Sequence, residues 1–320
     1  MLDHEAFTPE PSRFADRELA DLVAQLNSRP AETDVAAMRD GAAQRARARA
    51  KGPDMVSVRD VSVPARDGAP AVSARLYRPQ PGSAPLVVYA HGGGWTIGSL
   101  DTHDRISRRL ARASGAAVLS VGYRLAPEHP APAAVDDVVH VLEWVATGPP
   151  ELDPAPSAVA VAGDSAGGTL AALACLRLHE TRSAALPDLQ VLVYANTDLT
   201  GPGASMREKA SGWGLDVSGI EFFNRQWVPD PQRWADPAVS PLRAPDLCGL
   251  PPALVVTAEH DPLRDQSEAY AHRLAEAGVR VDLRREDGLV HNFLMYDQAS
   301  PACARAAEQL AHDIRRLLDQ

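Results

Sequence analysis

The feature that most restricts what this chain can fold into is an alternation that begins after Pro53, in which short β-branched apolar runs are separated by longer amphipathic stretches. The runs fall at 56–63, 73–77, 86–89, 118–121, 159–161, 191–194, 254–257 and 281–284. From Leu86 onward they are almost continuously apolar, the pattern of strands covered on both faces. Between them, 102–113, 133–145, 166–179 and 266–277 space their apolar residues at the helical period, as does 304–318 at the end. Strand and helix in alternation predict an α/β fold: a mostly parallel, doubly wound sheet with helices on both faces and its ligand at the carboxyl ends of the strands.

Two helices are expected ahead of this alternation. Ser12 can cap a segment that puts Leu19, Leu22, Val23 and Leu26 on one face and stops at Arg29-Pro30. Thr33 can cap a second one that runs through Arg49 and stops at Gly52-Pro53. Further on, about sixty residues separate Tyr194 from Leu254, where a crossover needs far fewer. Only 5% of the chain is aromatic, yet this stretch holds Trp213, Phe222, Phe223, Trp227 and Trp234. It reads either as a lid over the carboxyl end of the sheet or as a satellite core beneath long loops.

Composition narrows the partners. With 320 residues, 45% of them hydrophobic, the chain can bury a core without a metal or disulfide staple. Its three cysteines, Cys175, Cys248 and Cys303, are far apart and form neither a disulfide framework nor a zinc pattern. A net charge of −10 argues against nucleic acid or an anionic membrane surface as the main partner. The N-terminus has no secretory h-region and no apolar stretch spans a bilayer, so a cytoplasmic location is expected. The ten histidines are scattered without metal-ligand spacing, so neither metal nor cofactor is expected.

The chemistry lies in three places. The 159–161 run leads straight into Gly163-Asp164-Ser165-Ala166-Gly167-Gly168 and then a helix, the setting of a nucleophile elbow. The tight turn leaves no room for bulk at 163 and 167, and the helix N-terminus behind Ser165 favours developing negative charge. His91-Gly92-Gly93-Gly94-Trp95 follows the 86–89 run, where consecutive glycines let backbone N–H groups approach a substrate carbonyl. It lacks the spacing of a phosphate-binding loop. A serine needs a base and the base an orienting carboxylate, in the chain order serine, acid, histidine. Asp261 sits just past the 254–257 run, and His291 sits in a short loop before the last helix. Glu259, His260 and Asp265 compete with Asp261 less well, and His272 and His312 read as helix-surface residues. A histidine base also predicts activity that falls in acid.

These motifs, together with Tyr123-Arg124-Leu125-Ala126-Pro127-Glu128-His129-Pro130 and Asp261-Pro262-Leu263-Arg264-Asp265, resemble the hormone-sensitive-lipase-like family of α/β-hydrolase esterases. The resemblance runs from about Pro85 to Phe293. It implies a Ser165–His291–Asp261 triad with an oxyanion hole from Gly92, Gly93 and Ala166, although which two of Gly92, Gly93 and Gly94 donate is left open. It further implies an N-terminal helical cap segment (1–52) on a catalytic domain (53–320) carrying a cap insertion (205–234). Asp164, Tyr123, Arg124, Glu128 and Asp136 match positions that hold loops in place. Relatives of this kind often pair through the sheet edge, so a homodimer stands beside a monomer. The chain departs from the family pattern at Ala195-Asn196, Gln266-Ser267 and Asn292.

The activity expected is that of a serine carboxylesterase acting on short- to medium-chain, small-molecule acyl esters through an acyl-enzyme. Trp95, Asn196, Trp213, Leu215 and Phe222 are the candidates for substrate contact. The lid candidate mixes Arg207, Glu208, Lys209, Asp216 and Glu221 among its aromatics, unlike a lid built for an oil–water surface. Acyl transfer or amide or lactone cleavage would use the same triad, and an inactive ligand-binding scaffold is the reading from another class.

Overall fold

The computed structural model describes residues 8–30, 32–66 and 68–319. All eight expected runs are strands: β1 (Ser57–Val63), β2 (Val72–Arg78), β3 (Leu86–Ala90), β4 (Ala117–Gly122), β5 (Val159–Asp164), β6 (Leu189–Val193), β7 (Ala253–His260) and β8 (Val281–Val290). They form one sheet in the order β1-β2-β4-β3-β5-β6-β7-β8. The pairs β1/β2 and β2/β4 are antiparallel and the remaining five are parallel. The expected α/β-hydrolase architecture is the one found.

The described helices are α1 (Arg17–Asn27), α2 (Val35–Ala48), α3 (Asp104–Ser114), α4 (Ala133–Ala146), α5 (Ala166–Glu180), α6 (Ser205–Glu208), α7 (Val217–Trp227), α8 (Arg264–Glu276) and α9 (Pro301–Leu318). They make two cores, one on each face of the sheet. Leu86, Val88 and Ala90 of β3 pack with α4, α5 and α8, whereas Val87 and Tyr89 pack with α1, α3 and α9. A strand buried on both faces needs apolar residues at every position, hence the unbroken runs. β8 departs from this expectation: it is one of the two edge strands, its first seven residues are half-buried or exposed, and Leu283 is 38% exposed.

Two expected caps shift. Ser12 lies in a short 3-10 turn, and Asp16 caps α1 by accepting from Leu19 N at 2.8 Å. Its other oxygen accepts from Ser300 Oγ at 2.6 Å and Ala302 N at 2.8 Å, which ties the start of α1 to that of α9. Thr33 gives way to Asp34, which caps α2 through Ala36 N at 2.8 Å. A carboxylate one residue before the first helical turn reaches its free N–H groups directly.

The structure also shows how α2 is held. Arg39 donates through Nε to Thr96 O and through Nη2 to Ala126 O, both at 2.9 Å, and grips Glu128 with two bonds of 2.7 Å. This salt bridge keeps the Glu128 carboxyl at about 2, against an ordinary 4.5. No described helix is long and apolar enough to cross a membrane.

Candidate active site

Ser165 stands between β5 and α5 with φ +53° and ψ −121°, a conformation that L-residues rarely adopt. Its backbone N–H is fixed to Val193 O at 2.8 Å. The neighbouring glycines are required by collision. A Cβ on Gly163 would lie 2.2 Å from the Gly167 carbonyl, and one on Gly167 would lie 2.0 Å from Ala90 O. The elbow is thus wedged against the end of β3, and the strain at Ser165 presents its hydroxyl to the pocket.

Two further loops deliver the partners of that hydroxyl. Asp261 follows β7, is fully buried, and spends one oxygen on Leu263 N at 2.8 Å. Its other oxygen lies 2.7 Å from His291 Nδ1. An ionised carboxylate only accepts, so Nδ1 carries the proton and donates, which leaves Nε2 as an acceptor. Ser165 Oγ lies 2.9 Å from Nε2, within reach to donate. The Tyr194 ring packs on the imidazole with centroids 4.7 Å apart. Asn292, where the family pattern has glycine, holds φ +65°, a left-handed conformation that asparagine tolerates better than most residues.

The three glycines of the His91 loop are not equivalent. Gly92 N donates to Asp164 Oδ1 at 2.9 Å, so this N–H is not free to meet a substrate, contrary to the expectation placed on it. Tyr89 Oη donates to the same oxygen at 2.6 Å. Burial acts to raise the Asp164 pKa, but its charged and hydrogen-bonding neighbours prevail and hold it below the ordinary value. Gly93 and Gly94, with φ of +117° and +58°, line the pocket together with Ala166 at the start of α5. Beneath the loop, the Tyr123 hydroxyl donates to His91 O at 2.7 Å. Burial pushes the His91 imidazole down to about 3.

The pocket at Ser165 has a volume of about 110 Å³. Trp95, Asn196 and Leu215 line it as expected, whereas Trp213 and Phe222 do not. Trp213 is buried elsewhere, stacked 4.2 Å from His260 with the Lys209 ammonium 4.1 Å from its ring centroid. Phe222 is out of phase: Ile220, Phe223 and Asn224 are the α7 residues that reach the pocket, joined by Ile97 and Leu263. The spacing 220, 223, 224 is one helical face and was readable in the sequence.

The residues expected to hold loops make such contacts. Arg124 pairs with Asp137 at 2.7 Å, Glu128 with Arg39, and Asp136 with Arg177. Gln266, a departure from the family pattern, accepts from Asp198 N at 2.5 Å through its side chain and from Thr197 Oγ1 at 2.7 Å through its backbone. The competing groups turn away from Ser165: Glu259 accepts from Gly288 N, His260 bonds Arg13 O, and Asp265 pairs with Arg264.

A serine oxygen beside an imidazole acceptor, with unspent backbone donors around it, can attack a carbonyl and stabilise the charge that results. That chemistry on this sheet defines the class of α/β-hydrolase serine enzymes. A family model described as an alpha/beta hydrolase fold matches residues 87–295. The chain is 43% identical over 276 residues to the carboxylic ester hydrolase LipN of Mycobacterium tuberculosis, covering 84% of this chain and 73% of that protein. It is 39% identical to the ethyl acetate hydrolase of Pseudomonas putida, covering 77% of this chain and 78% of the relative. Among solved structures, the Pyrobaculum calidifontis esterase superposes with a TM-score of 0.85 at 39% identity, covering 93% of this chain and 97% of that one. The chain belongs to this α/β-hydrolase family, among its hormone-sensitive-lipase-like esterases.

Proposed function

We propose that this chain, a carboxylesterase by its kinship, hydrolyses short- to medium-chain acyl esters through an acyl-enzyme on Ser165. The observation that carries this reading is the unbroken series from Asp261 Oδ2 through His291 to Ser165 Oγ, with links of 2.7 and 2.9 Å. Ser165 Oγ attacks the ester carbonyl while His291 Nε2 takes its proton. The N–H groups of Gly93, Gly94 and Ala166 donate to the carbonyl oxygen as it becomes an oxyanion. Collapse of the tetrahedral species breaks the bond to the alcohol, which leaves with the proton from Nε2. Water then repeats the sequence on the acyl-enzyme and releases the acid. Asp261 holds the imidazole in the tautomer this requires.

The short-chain preference rests on the size of the pocket, about 110 Å³ closed by Leu215, Ile220, Phe223 and Leu263. So small a space suits an arm of a few carbons. The name of the Pseudomonas putida relative, an ethyl acetate hydrolase, points the same way. We assign residues 1–52 and 205–234 to a cap over the catalytic domain, 53–320. The free edge of β8, with Leu283 exposed, would serve a homodimer. The three unpaired thiols suit the reducing cytoplasm.

A series of 4-nitrophenyl esters from acetyl to dodecanoyl tests the reading. We expect kcat/KM to be highest among the shorter members and to fall for the longest, and Ser165→Ala to lower kcat by about 10⁴ or more. Rates that climb to the dodecanoyl ester would overturn the chain-length preference. Substantial activity in Ser165→Ala would overturn the mechanism.

A further inference from the structure

The pocket at Ser165 is not the largest cavity near it. A second one of about 480 Å³ begins at the same loop, sharing Gly93, Ile97 and Asn292, and runs out between α1, α2 and residues 295–299. Its lining is unusual for so acidic a chain. Among the described residues, Arg29, Arg45 and Arg49 face it, and no aspartate or glutamate does. On a molecule of net charge −10, three guanidiniums against no carboxylate is a local reversal of sign.

Among the described residues, none of these three arginines is in a salt bridge. Arg49 is half-buried, and its Nη1 donates to nothing better than the Met295 thioether, at 3.6 Å. Burial, with Arg45 and Arg105 beside it, lowers its pKa. Asp297, the carboxylate whose charge acts on it, is already held by Arg105 at 2.7 Å and Arg109 at 3.0 Å. A half-buried cation that no described carboxylate contacts is costly, whereas Arg39 on the same helix is fully matched by Glu128. The stretch Arg45-Ala46-Arg47-Ala48-Arg49 thus splits: Arg45 and Arg49, four residues apart, fall on the face turned to the cavity.

We propose that this cavity binds the second arm of the ester and that Arg45 and Arg49 select substrates carrying a carboxylate on that arm, a few carbons from the scissile bond. The inference rests on the esterase reading above and adds the substrate class. The short neutral arm occupies the 110 Å³ pocket and the anionic arm the 480 Å³ cavity, with the carbonyl between them at Gly93. Arginine forks match a carboxylate with two parallel bonds, and a mouth of this sign also draws anions from solution.

The test uses matched pairs of esters and reads the ratio of kcat/KM, anionic over neutral. For the acyl arm the pair is 4-nitrophenyl hemiglutarate and 4-nitrophenyl pentanoate. For the alcohol arm it is the acetyl ester of 6-hydroxyhexanoate and hexyl acetate, followed by acid release. We expect one pair, which identifies the arm, to give a ratio of about ten or more at low ionic strength, carried mostly by KM. The ratio should shrink as sodium chloride screens the charges. In Arg45→Gln/Arg49→Gln it should fall towards one, and in Arg45→Lys/Arg49→Lys it should return in part. Thermal midpoints identify any variant that fails to fold, and the wild-type salt series needs no variant. Ratios near one in both pairs, or a ratio that salt and Arg45→Gln/Arg49→Gln leave unchanged, would overturn the inference. If neutral esters are still cleaved through Ser165, the esterase reading survives that result.

Discussion

The elbow and the helices α2 and α7 are built on opposite terms. Helix α5 buries twelve of its fifteen residues, whereas α2 buries none completely. Around Ser165 the fit is backbone against backbone, Gly167 on Ala90 O and Gly163 on Gly167. At α7 and α2 the fit is made by side chains: the Phe223 ring lies on Gly94, and the Arg39 guanidinium holds Thr96 O, Ala126 O and the Glu128 carboxylate. Backbone contacts cannot relax without moving strands, while a ring or an arginine can swing aside. The region around Ser165 is therefore rigid, and the region held by side chains can be reshaped at little cost to the fold.

The largest expected effect breaks this comparison if it is wrong. Gly167→Ala puts a methyl 2.0 Å from Ala90 O, and the elbow has to shift. A displacement of about 1 Å at a reacting group costs about 10² in rate, so we expect at least that loss in kcat for the esters tested above. Gly94→Ala places its methyl 2.3 Å from the Phe223 ring at φ +58°. Here a loss of about tenfold is expected, mainly from left-handed strain of about 1 kcal/mol and displacement of the ring. Because that neighbour is a side chain, Gly94→Ala/Phe223→Ala should recover part of the loss when compared with Phe223→Ala alone. No single side-chain truncation should rescue Gly167→Ala. Rescue in both, or in neither, would erase the distinction.

A smaller effect separates the two regions by pH. His91, under the glycine loop, has an unfolded value of 6.5 and sits near 3 when folded. Its neutral form is the one the fold accepts, so the stability it contributes is complete above pH 6.5 and is lost as pH falls towards 3. Glu128, which anchors α2, falls from 4.5 to about 2. Its contribution is complete above pH 4.5 and is lost only as pH drops through about 2. Between pH 6.5 and 4.5 the global unfolding free energy should therefore decline while α2 stays attached. Urea unfolding across this range, beside hydrogen exchange in α2, measures the two separately. Release of α2 before any loss of global stability would reverse the assignment.

How much of this was legible follows the same division. The strands were plain because burial on both faces forces unbroken apolar runs, and the order Ser165, Asp261, His291 placed each group at a strand end. What escaped depended on contacts far apart in sequence. Three glycines in a row look alike, and Asp164, seventy-two residues on, takes Gly92 N–H out of use. Asp16 caps α1 partly because Ser300 and Ala302 hold its second oxygen, which no local pattern records. Trp213 was drawn to the pocket by its aromatic character, whereas its ring is spent on His260 and Lys209. Phe223 over Phe222 was available from the helical phase alone.

The account turns on a single nucleophile, and one labelling experiment addresses it. A fluorophosphonate probe incubated with the intact protein, followed by digestion and mass spectrometry, should give one adduct per chain, on Ser165. The adduct should be absent from Ser165→Ala and form far more slowly in His291→Ala. An adduct on another residue, or equal labelling of the wild type and Ser165→Ala, would contradict the mechanism.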